Sequence, residues 1–355
     1  MSSWRTPDGG SVTEPRSPLR ELTIARLRVF FREPSTVFWA FGFPLLLTVA
    51  LGIAFRNRPP EPAAVAIEAG PGAERVRAQI ASPLVKAKIE DVATAGKELR
   101  SGRVALVIVA GEPRTYRYDE TRPEARLARV LVDDVLQRAA GRADAVPVAD
   151  ERVTEVGARY IDFLVPGLVG LNLMSSGMWG IGYAIVEMRT KKLVKRLMAT
   201  PMRRSDFLLS FIIMRALFVA IEVPVLFGFG WIAFGVRVVG SPLLLLALCF
   251  LGAFAFGGIG LLVASRARNT QTVGGLMNLV MMPMFIASGV FFSTSNFPDG
   301  VQPLLRALPL TALNDALRAV ANDGAALSDV GRPTLVLAAW GALSYAAALR
   351  LFRWL

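Results

Sequence analysis

Histidine is absent from the sequence of 355 residues, and Cys249 is its single cysteine. Without histidine the chain cannot form a Ser-His-Asp triad, a histidine general base or a histidine-ligated metal site. A single cysteine inside an apolar run excludes an internal disulfide framework and a cysteine-ligated zinc site. These absences remove several classes of enzyme before any motif is considered.

Charged residues are also scarce, at 19% against about 25% in an ordinary soluble domain. Hydrophobic residues make up 53% of the chain, and the mean hydropathy is +0.46. The apolar residues are concentrated in runs of about 20, the length that crosses a bilayer as a helix. Six runs predict an α-helical integral membrane protein with six transmembrane helices: Val37–Phe55, Ile161–Val186, Phe207–Val236, Leu243–Ser265, Val273–Phe292 and Leu335–Leu349.

The segments around these runs differ in composition. Residues 1–17, rich in Ser, Pro, Gly and Thr, predict a disordered cytoplasmic tail. Residues 18–34 alternate apolar side chains with arginines, which indicates an amphipathic helix at the membrane surface; the alternative is a cytoplasmic extension of the first span, 35–55. Residues 56–159 are too long for a loop and predict a small domain, before the five remaining spans in 160–355.

The predicted domain has α/β character. Short β-like runs predict strands at Ala63–Ile67, Val104–Val109 and, more weakly, Thr115–Tyr118. Helical patterns lie near Ala73–Ala81, Thr94–Ser101 and Pro123–Ala140. Asp133 and Asp134 are adjacent, and neighbours in a helix point about 100° apart. We therefore expect them on a solvated face rather than as an acid/base pair.

Positive charge predicts the orientation of the chain. Basic residues cluster before the first span, between spans two and three, between spans four and five, and in the C-terminal tail, and these four segments alternate correctly to share one side. Both termini are therefore predicted to be cytoplasmic, with residues 56–159 outside the cell membrane. This distribution accounts for the net charge of +12 without a nucleic-acid partner.

The segment between spans two and three combines a helix with a basic turn. Leu193, Val194, Leu197 and Met198 predict one apolar stripe on a short cytoplasmic helix, and Thr200-Pro201 ends it. Such a helix could rest on anionic lipid or dock a cytoplasmic partner.

This segment resembles the coupling helix, here residues 187–204, of the permease subunits of ABC-2 type transporters. The resemblance extends over essentially the whole chain. A second matching segment, Ser288–Phe292 with Phe297-Pro298, Leu308–Thr311 and Asp315–Arg318, is similar to the family's fifth span and its re-entrant outer-leaflet helices, here about 299–322. The resemblance implies that the following residues contact an ATPase: Glu187, Arg189, Lys192, Leu193, Arg196, Leu197, Thr200, Pro201, Arg203 and Arg204.

The chain has no phosphate-binding loop of its own. Its one Gly-Lys pair, Gly96-Lys97, has Asp91 in place of the first glycine and Glu98 in place of the hydroxyl residue. The chain is therefore not an ATPase by itself and holds no cofactor. The resemblance implies that ATP and Mg²⁺ bind two copies of a separate cytoplasmic ATPase subunit. It also implies a bacterial inner-membrane location and a second permease copy, in a homodimer or a heterodimer with a paralogue.

Two charges lie inside the third span. Arg215 and Glu222 are seven residues apart, so they share a helix face, but we expect no direct contact between them. For Arg215, snorkelling to the cytoplasmic surface is favoured over a transport role. For Glu222, structural packing and gating are both possible roles.

The resemblance implies a substrate path between spans one, two and five, for drugs, antibiotics or other amphipathic molecules, or for lipids. Methionines in span five suit contact with varied apolar molecules. Residues predicted to line the path are Asn172, Met178, Glu222, Asn278, Met281, Met282 and Phe285. The alternative function is a membrane sensor whose outer domain signals to a cytoplasmic partner without transport.

Overall fold

The computed structural model describes residues 18–54, 62–143, 146, 149, 157, 159–199 and 203–351. The chain divides into a helical unit, Met1–Arg56 with Thr154–Leu355, and a second unit, Asn57–Val153. The predicted disordered tail, residues 1–17, and the predicted helix stop at Thr200-Pro201 lie outside the described residues.

Two helices precede the second unit. Helix α1 (Pro18–Arg32) corresponds to the predicted amphipathic segment and ends just before Pro34, because the residue before a proline disfavours helical geometry. Helix α2 covers residues 34–54 and contains a π-helical turn at Phe38–Gly42. Such a turn breaks the regular backbone hydrogen-bond pattern of the helix.

The second unit is a four-stranded sheet with three helices. Its elements in chain order are β1 (Ala63–Glu68), α3 (Ala73–Gln79), β2 (Val85–Glu90), α4 (Val92–Ser101), β3 (Leu106–Val109), β4 (Thr115–Arg117) and α5 (Pro123–Ala139). The strand order is β2-β1-β3-β4, in which β1 pairs in parallel with β2 and β3, and β4 is antiparallel to β3. Strand β2, Val-Lys-Ala-Lys-Ile-Glu, was not predicted, although its alternation of apolar and charged residues is the pattern of a strand.

The alternation of side chains along β1 explains the two faces of this sheet. Val65 and Ile67 point into a core shared with α3 and α5, whereas Ala64 and Ala66 point towards α4. The small alanine side chains allow α4 to pack on the second face. The unit therefore has helices on both faces, as expected for parallel strands joined by crossover helices.

The rest of the helical unit follows in one run of helices. They are α6 (Tyr160–Thr190), α7 (Leu193–Met198), α8 (Arg204–Phe234), α9 (Pro242–Arg266), α10 (Thr270–Ala287), α11 (Gln302–Arg306), α12 (Pro309–Asp323) and α13 (Gly331–Leu351). Within the described residues five helices, α6, α8, α9, α10 and α13, are long and apolar enough to cross a membrane. The predicted first span contains a shorter apolar helix, Phe38–Ala54.

Glycines allow α9 to approach α6 at backbone distance. A Cβ on Gly182 of α6 would lie 2.5 Å from the carbonyl oxygen of Gly260 in α9, and a Cβ on Gly260 would lie 2.9 Å from Cα of Met178. Small residues at a helix crossing permit this approach. The close packing buries Met178 completely.

Helix α12 is bound to the chain that leaves α10. The Asn314 amide donates to the carbonyl of Ser288 at 3.0 Å, and Arg318 Nε donates to the carbonyl of Phe163 at the start of α6, also at 3.0 Å. Arg318 also stacks 3.5 Å above the centre of the Phe163 ring. These contacts hold α10, α12 and α6 together at one end of the helical unit.

Candidate functional site

Helix α7 is a six-residue helix between the ends of two long helices. Lys192 has a left-handed backbone, with φ of +56°, and this conformation turns the chain between α6 and α7. Val194 is 2% exposed and packs in a cluster with Phe207 and Phe211 of α8. Leu197 is half-buried against the same cluster. Helix α7 is therefore held on α8 by one side and has another side exposed.

The predicted four-residue apolar stripe is wrong for Leu193. Leu193 is 37% exposed, and the neighbouring Lys195 and Arg196 are exposed as well. Val194 and Leu197, three residues apart, define the inward side, and Leu193 falls outside it because successive helical residues point about 100° apart. The outward side of α7 thus combines one large apolar side chain with two cations.

Two predicted coupling residues belong to α6 rather than to α7. Glu187 lies in the last turns of α6, where its carboxylate pairs with Lys191 at 2.7 Å. Arg189 donates to the carbonyl oxygens of Ala264 and Ala267, at 3.4 and 3.3 Å, where α9 ends. Arg189 therefore links the ends of α6 and α9. Interaction of a cation with the last carbonyls of a helix is favourable because of the helix dipole.

The remaining predicted coupling residues are distributed along the turn. Lys192 is exposed before α7, and Arg203 is exposed immediately before α8. Arg204 begins α8. Thr200 and Pro201 lie outside the described residues.

Arg26 of α1 binds the same aromatic rings that receive Val194. Its guanidinium carbon lies 3.3 Å from the centre of the Phe211 ring and 5.2 Å from that of Phe207, and Nε donates to Ser210 Oγ at 3.0 Å. Burial lowers the pKa of Arg26 to about 10, so it remains charged at neutral pH. The sequence did not distinguish Arg26 from the other basic residues of this segment. The one available signal is its helical spacing of three and four residues from Thr23 and Phe30, which places the three on one side of the helix.

Arg215 and Glu222 are in direct contact, so the prediction that they do not touch is wrong. Arg215 Nη1 lies 3.1 Å from Glu222 Oε2, and both side chains are buried. The long arginine side chain extends along the helix axis and covers the two turns that separate the residues. Burial also contradicts snorkelling of Arg215 to the surface.

The ion pair belongs to a polar network that joins three helices. The Asn172 amide of α6 donates to Glu222 Oε1, and also to the carbonyl of Ala40, in the π-helical turn of α2, at 3.3 Å. Arg215 Nη2 donates to the carbonyl of Leu173 at 3.4 Å. The network pairs both carboxylate oxygens of Glu222 and both Nη atoms of Arg215, which would be costly to bury alone, whereas Nε of Arg215 has no partner among the described residues.

The structure separates the residues predicted to line a substrate path. Asn172, Met178 and Glu222 are buried inside the helical unit. Met281 is half-buried in α10. The other residues of α10 that were predicted to line the path are on the exposed side of the helix: Asn278, Met282 and Phe285. A single surface within one chain does not contain all of them. The exposed side of α10 includes a shallow, mostly apolar depression of about 510 Å³ beside Asn278 and Met282.

Comparison with known proteins decides the family. The family model described as ABC-2 family transporter protein matches residues 34–350. The chain belongs to this family. It is thus a transporter permease with several membrane-spanning helices.

Individual relatives of this permease are distant. The chain is 24% identical over 190 residues to the linearmycin resistance permease protein LnrN of Bacillus subtilis. The matched region covers 50% of the chain and 46% of LnrN. The chain is 27% identical over 202 residues to nodulation protein J of Bradyrhizobium diazoefficiens, covering 56% and 75%. It is 32% identical over 120 residues to the inner membrane transport permease YhhJ of Escherichia coli, covering 34% and 32%. The match to LnrN thus spans less than half of that relative.

Membership of this family assigns the chain to the permease subunits, which are not catalytic themselves. In this permease the described residues contain no group of three or more acidic, cysteine or histidine side chains that could hold a metal ion.

Proposed function

We propose that this permease is the membrane subunit of an ATP-driven exporter, and that a separate ABC ATPase binds the exposed side of α7. The observation that carries the proposal is the two-sided geometry of α7. Val194 anchors the helix to α8, while Leu193, Lys195 and Arg196 are exposed. Arginine is enriched among the residues that contribute most to binding in protein interfaces.

The packing around α7 supplies a route by which movement of the ATPase reaches the membrane helices. Val194 packs in the cluster that contains Phe207 and Phe211, so displacement of α7 is resisted by α8. Arg26 stacks on the same rings and attaches α1 to that cluster. Closure of two ATPase subunits on ATP and Mg²⁺ would then move α7, α8 and α1 together.

The proposed assembly contains two copies of the permease, or one copy with a paralogue, in a bacterial inner membrane with both chain termini in the cytoplasm. The α/β unit lies on the extracytoplasmic side, as the distribution of basic residues predicts. Asn278, Met282 and Phe285 on the exposed side of α10 line the path between the two permeases. Glu222 and Asn172 act behind that path, as packing residues that hold α2, α6 and α8 together.

The proposed cargo is an amphipathic small molecule, such as an antibiotic, or a lipid. Support comes from the mostly apolar depression on α10, which Asn278 and Met282 also line. A relative named for linearmycin resistance agrees with this class. Methionine side chains such as Met282 adapt to varied apolar shapes.

Co-purification with the ATPase encoded beside this permease tests the proposal. In the double variant Leu193→Asp, Arg196→Glu, we expect recovery of the ATPase to fall at least about tenfold, as for loss of an interface hot spot. Both side chains are exposed, so the substitutions leave the packing of Val194 intact. The control is Arg103→Glu, an equally exposed arginine in the α/β unit.

Undiminished ATPase recovery in the double variant would overturn the proposed docking site. If α7 served only to bind anionic lipid, the variant would lose affinity for anionic vesicles and keep the ATPase. If the protein were instead a sensor, its response would persist when the ATPase is inactivated in its phosphate-binding loop. Export of cargo that stops in that ATPase variant supports the exporter.

A further inference from the structure

A cavity of about 380 Å³ lies in the α/β unit, between the β3–β4 connection and the second half of α5. Its size is within the range of small-molecule sites. The connection leaves the carboxyl end of β3, and ligands of open α/β sheets bind outside the carboxyl ends of the parallel strands. Position and volume therefore both agree with a binding site.

Charged residues of both signs line this cavity. Glu112 and Arg114 enter from the β3–β4 connection, and Asp133 enters from α5. In the part of the chain that the structure describes, none of these three residues forms an ion pair. Opposite charges that share a cavity without neutralising each other are suited to a ligand that carries both signs.

Neighbouring side chains hold Arg114 and Asp133 in place. Arg114 Nη2 donates to Gln79 Oε1 at 2.9 Å, which leaves the remaining guanidinium N–H groups available. The Tyr116 hydroxyl donates to Asp133 Oδ1 at 3.1 Å. Burial and the adjacent carboxylate raise the pKa of Tyr116, so the hydroxyl remains a donor at neutral pH. The other carboxylate oxygen of Asp133, Oδ2, has no hydrogen-bond partner among the described residues and is available to a ligand.

The cavity also has an apolar wall. Leu136, 3% exposed, lies one helical turn after Asp133 on α5 and belongs to the core of the unit. An aliphatic group bound between Arg114 and Asp133 would contact this wall and lose its exposure to water.

We propose that this cavity binds a small zwitterion of the α-amino-acid class. The ligand carboxylate pairs with the Arg114 guanidinium, which can donate two parallel hydrogen bonds to it. The ligand ammonium binds Oδ2 of Asp133, and an aliphatic side chain packs on Leu136. A ligand without a carboxylate would leave the Arg114 guanidinium unmatched, and a ligand without an ammonium would leave the carboxylates of Glu112 and Asp133 unmatched, so affinity requires both charges.

Calorimetric titration of the full chain in lipid nanodiscs tests this inference, with L-alanine, L-leucine and L-glutamine as probes. We expect L-leucine to bind, and its analogues without the ammonium (4-methylpentanoate) or without the carboxylate (isoamylamine) to bind at least about tenfold more weakly. Absence of binding by all three amino acids, or equal binding by a singly charged analogue, would overturn the proposal. O-phosphoethanolamine represents the other common zwitterion, a lipid headgroup; tighter binding of this probe would also contradict the amino-acid assignment.

Two variants with matched controls locate the site. Arg114→Gln and Asp133→Asn should each weaken L-leucine binding about tenfold, since each removes one charged partner. Asp133→Asn keeps an oxygen that accepts from Tyr116. The controls are Asp134→Asn, whose native carboxylate pairs with Arg138, and Arg103→Gln, an exposed arginine before β3; both should bind as the wild type does. Equal weakening in the controls would contradict the site. The titration contains no ATPase, so its failure is distinguishable from failure of the exporter proposal.

Discussion

At the scale of single residues, Arg215 and Glu222 form a buried ion pair in the helical unit. A buried ion pair is not itself a strong source of stability, because both charges lose their hydration. Removal of one partner is more harmful, since it leaves the other charge uncompensated. Asn172 raises the cost further because its amide connects Glu222 to Ala40 in α2.

Glu222→Leu should therefore lower the free energy of unfolding by about 3–5 kcal/mol, as in other proteins where one partner of a buried pair is removed. The double variant Arg215→Leu, Glu222→Leu should recover a large part of this loss. Thermal unfolding in nanodiscs measures both effects, with the exposed Asn278→Leu as a control. A double variant that is less stable than Glu222→Leu alone would contradict this account of the pair.

At the scale of elements, the packing of α6 on α9 depends on the absence of side chains at the crossing. Gly182 and Gly260 bring the two backbones together beside Met178. The crossing also lies at the π-helical turn Met178–Tyr183 of α6. An added methyl group at Gly182 would meet the Met277 side chain, which can move aside, and the backbone carbonyl of Gly260, which cannot.

Gly182→Ala should consequently destabilise the permease by about 1–3 kcal/mol, the usual effect of overpacking. Gly275→Ala is the matched control, because a Cβ at Gly275 of α10 meets no atom within 4 Å. The control should be neutral or slightly stabilising, since alanine favours helix more than glycine does. Thermal unfolding in nanodiscs provides the measurement, and equal stability of the two variants would show that the α6–α9 crossing can relax.

At the scale of the whole molecule, the proposed orientation predicts which side of the membrane each unit occupies. Cys249 is the single cysteine and is fully buried, so the native chain already serves as a background for labelling. Ser101 of the α/β unit and Lys195 of α7 are both exposed and are placed by the proposal on opposite sides.

A membrane-impermeant maleimide should label Ser101→Cys in intact spheroplasts, whereas Lys195→Cys should react only after the membrane is disrupted. The native chain should remain unlabelled in both conditions, because Cys249 is inaccessible. Labelling of Lys195→Cys in intact spheroplasts would reverse the orientation. The assay reports orientation independently of transport.

Features that depend on neighbouring residues along the chain were predictable. Long apolar runs predicted α6, α8, α9, α10 and α13, since the length of a span is a local property. Three of the four strands and the three helices of the α/β unit also followed from local periodicity. Strand β2 was missed because two lysines reduce its apolar content, although its alternation was present.

The tertiary structure alone decided which side of each helix is buried. Helix α10 is apolar on most of its surface, so the pattern could not show that Met277 is buried and Met282 exposed. For the same reason the sequence could not show that Val194 of α7 is buried and Leu193 exposed, or that Arg26 stacks on Phe211. Contacts between residues distant in the chain depend on how helices approach one another, whereas helix formation and span length depend on the local sequence.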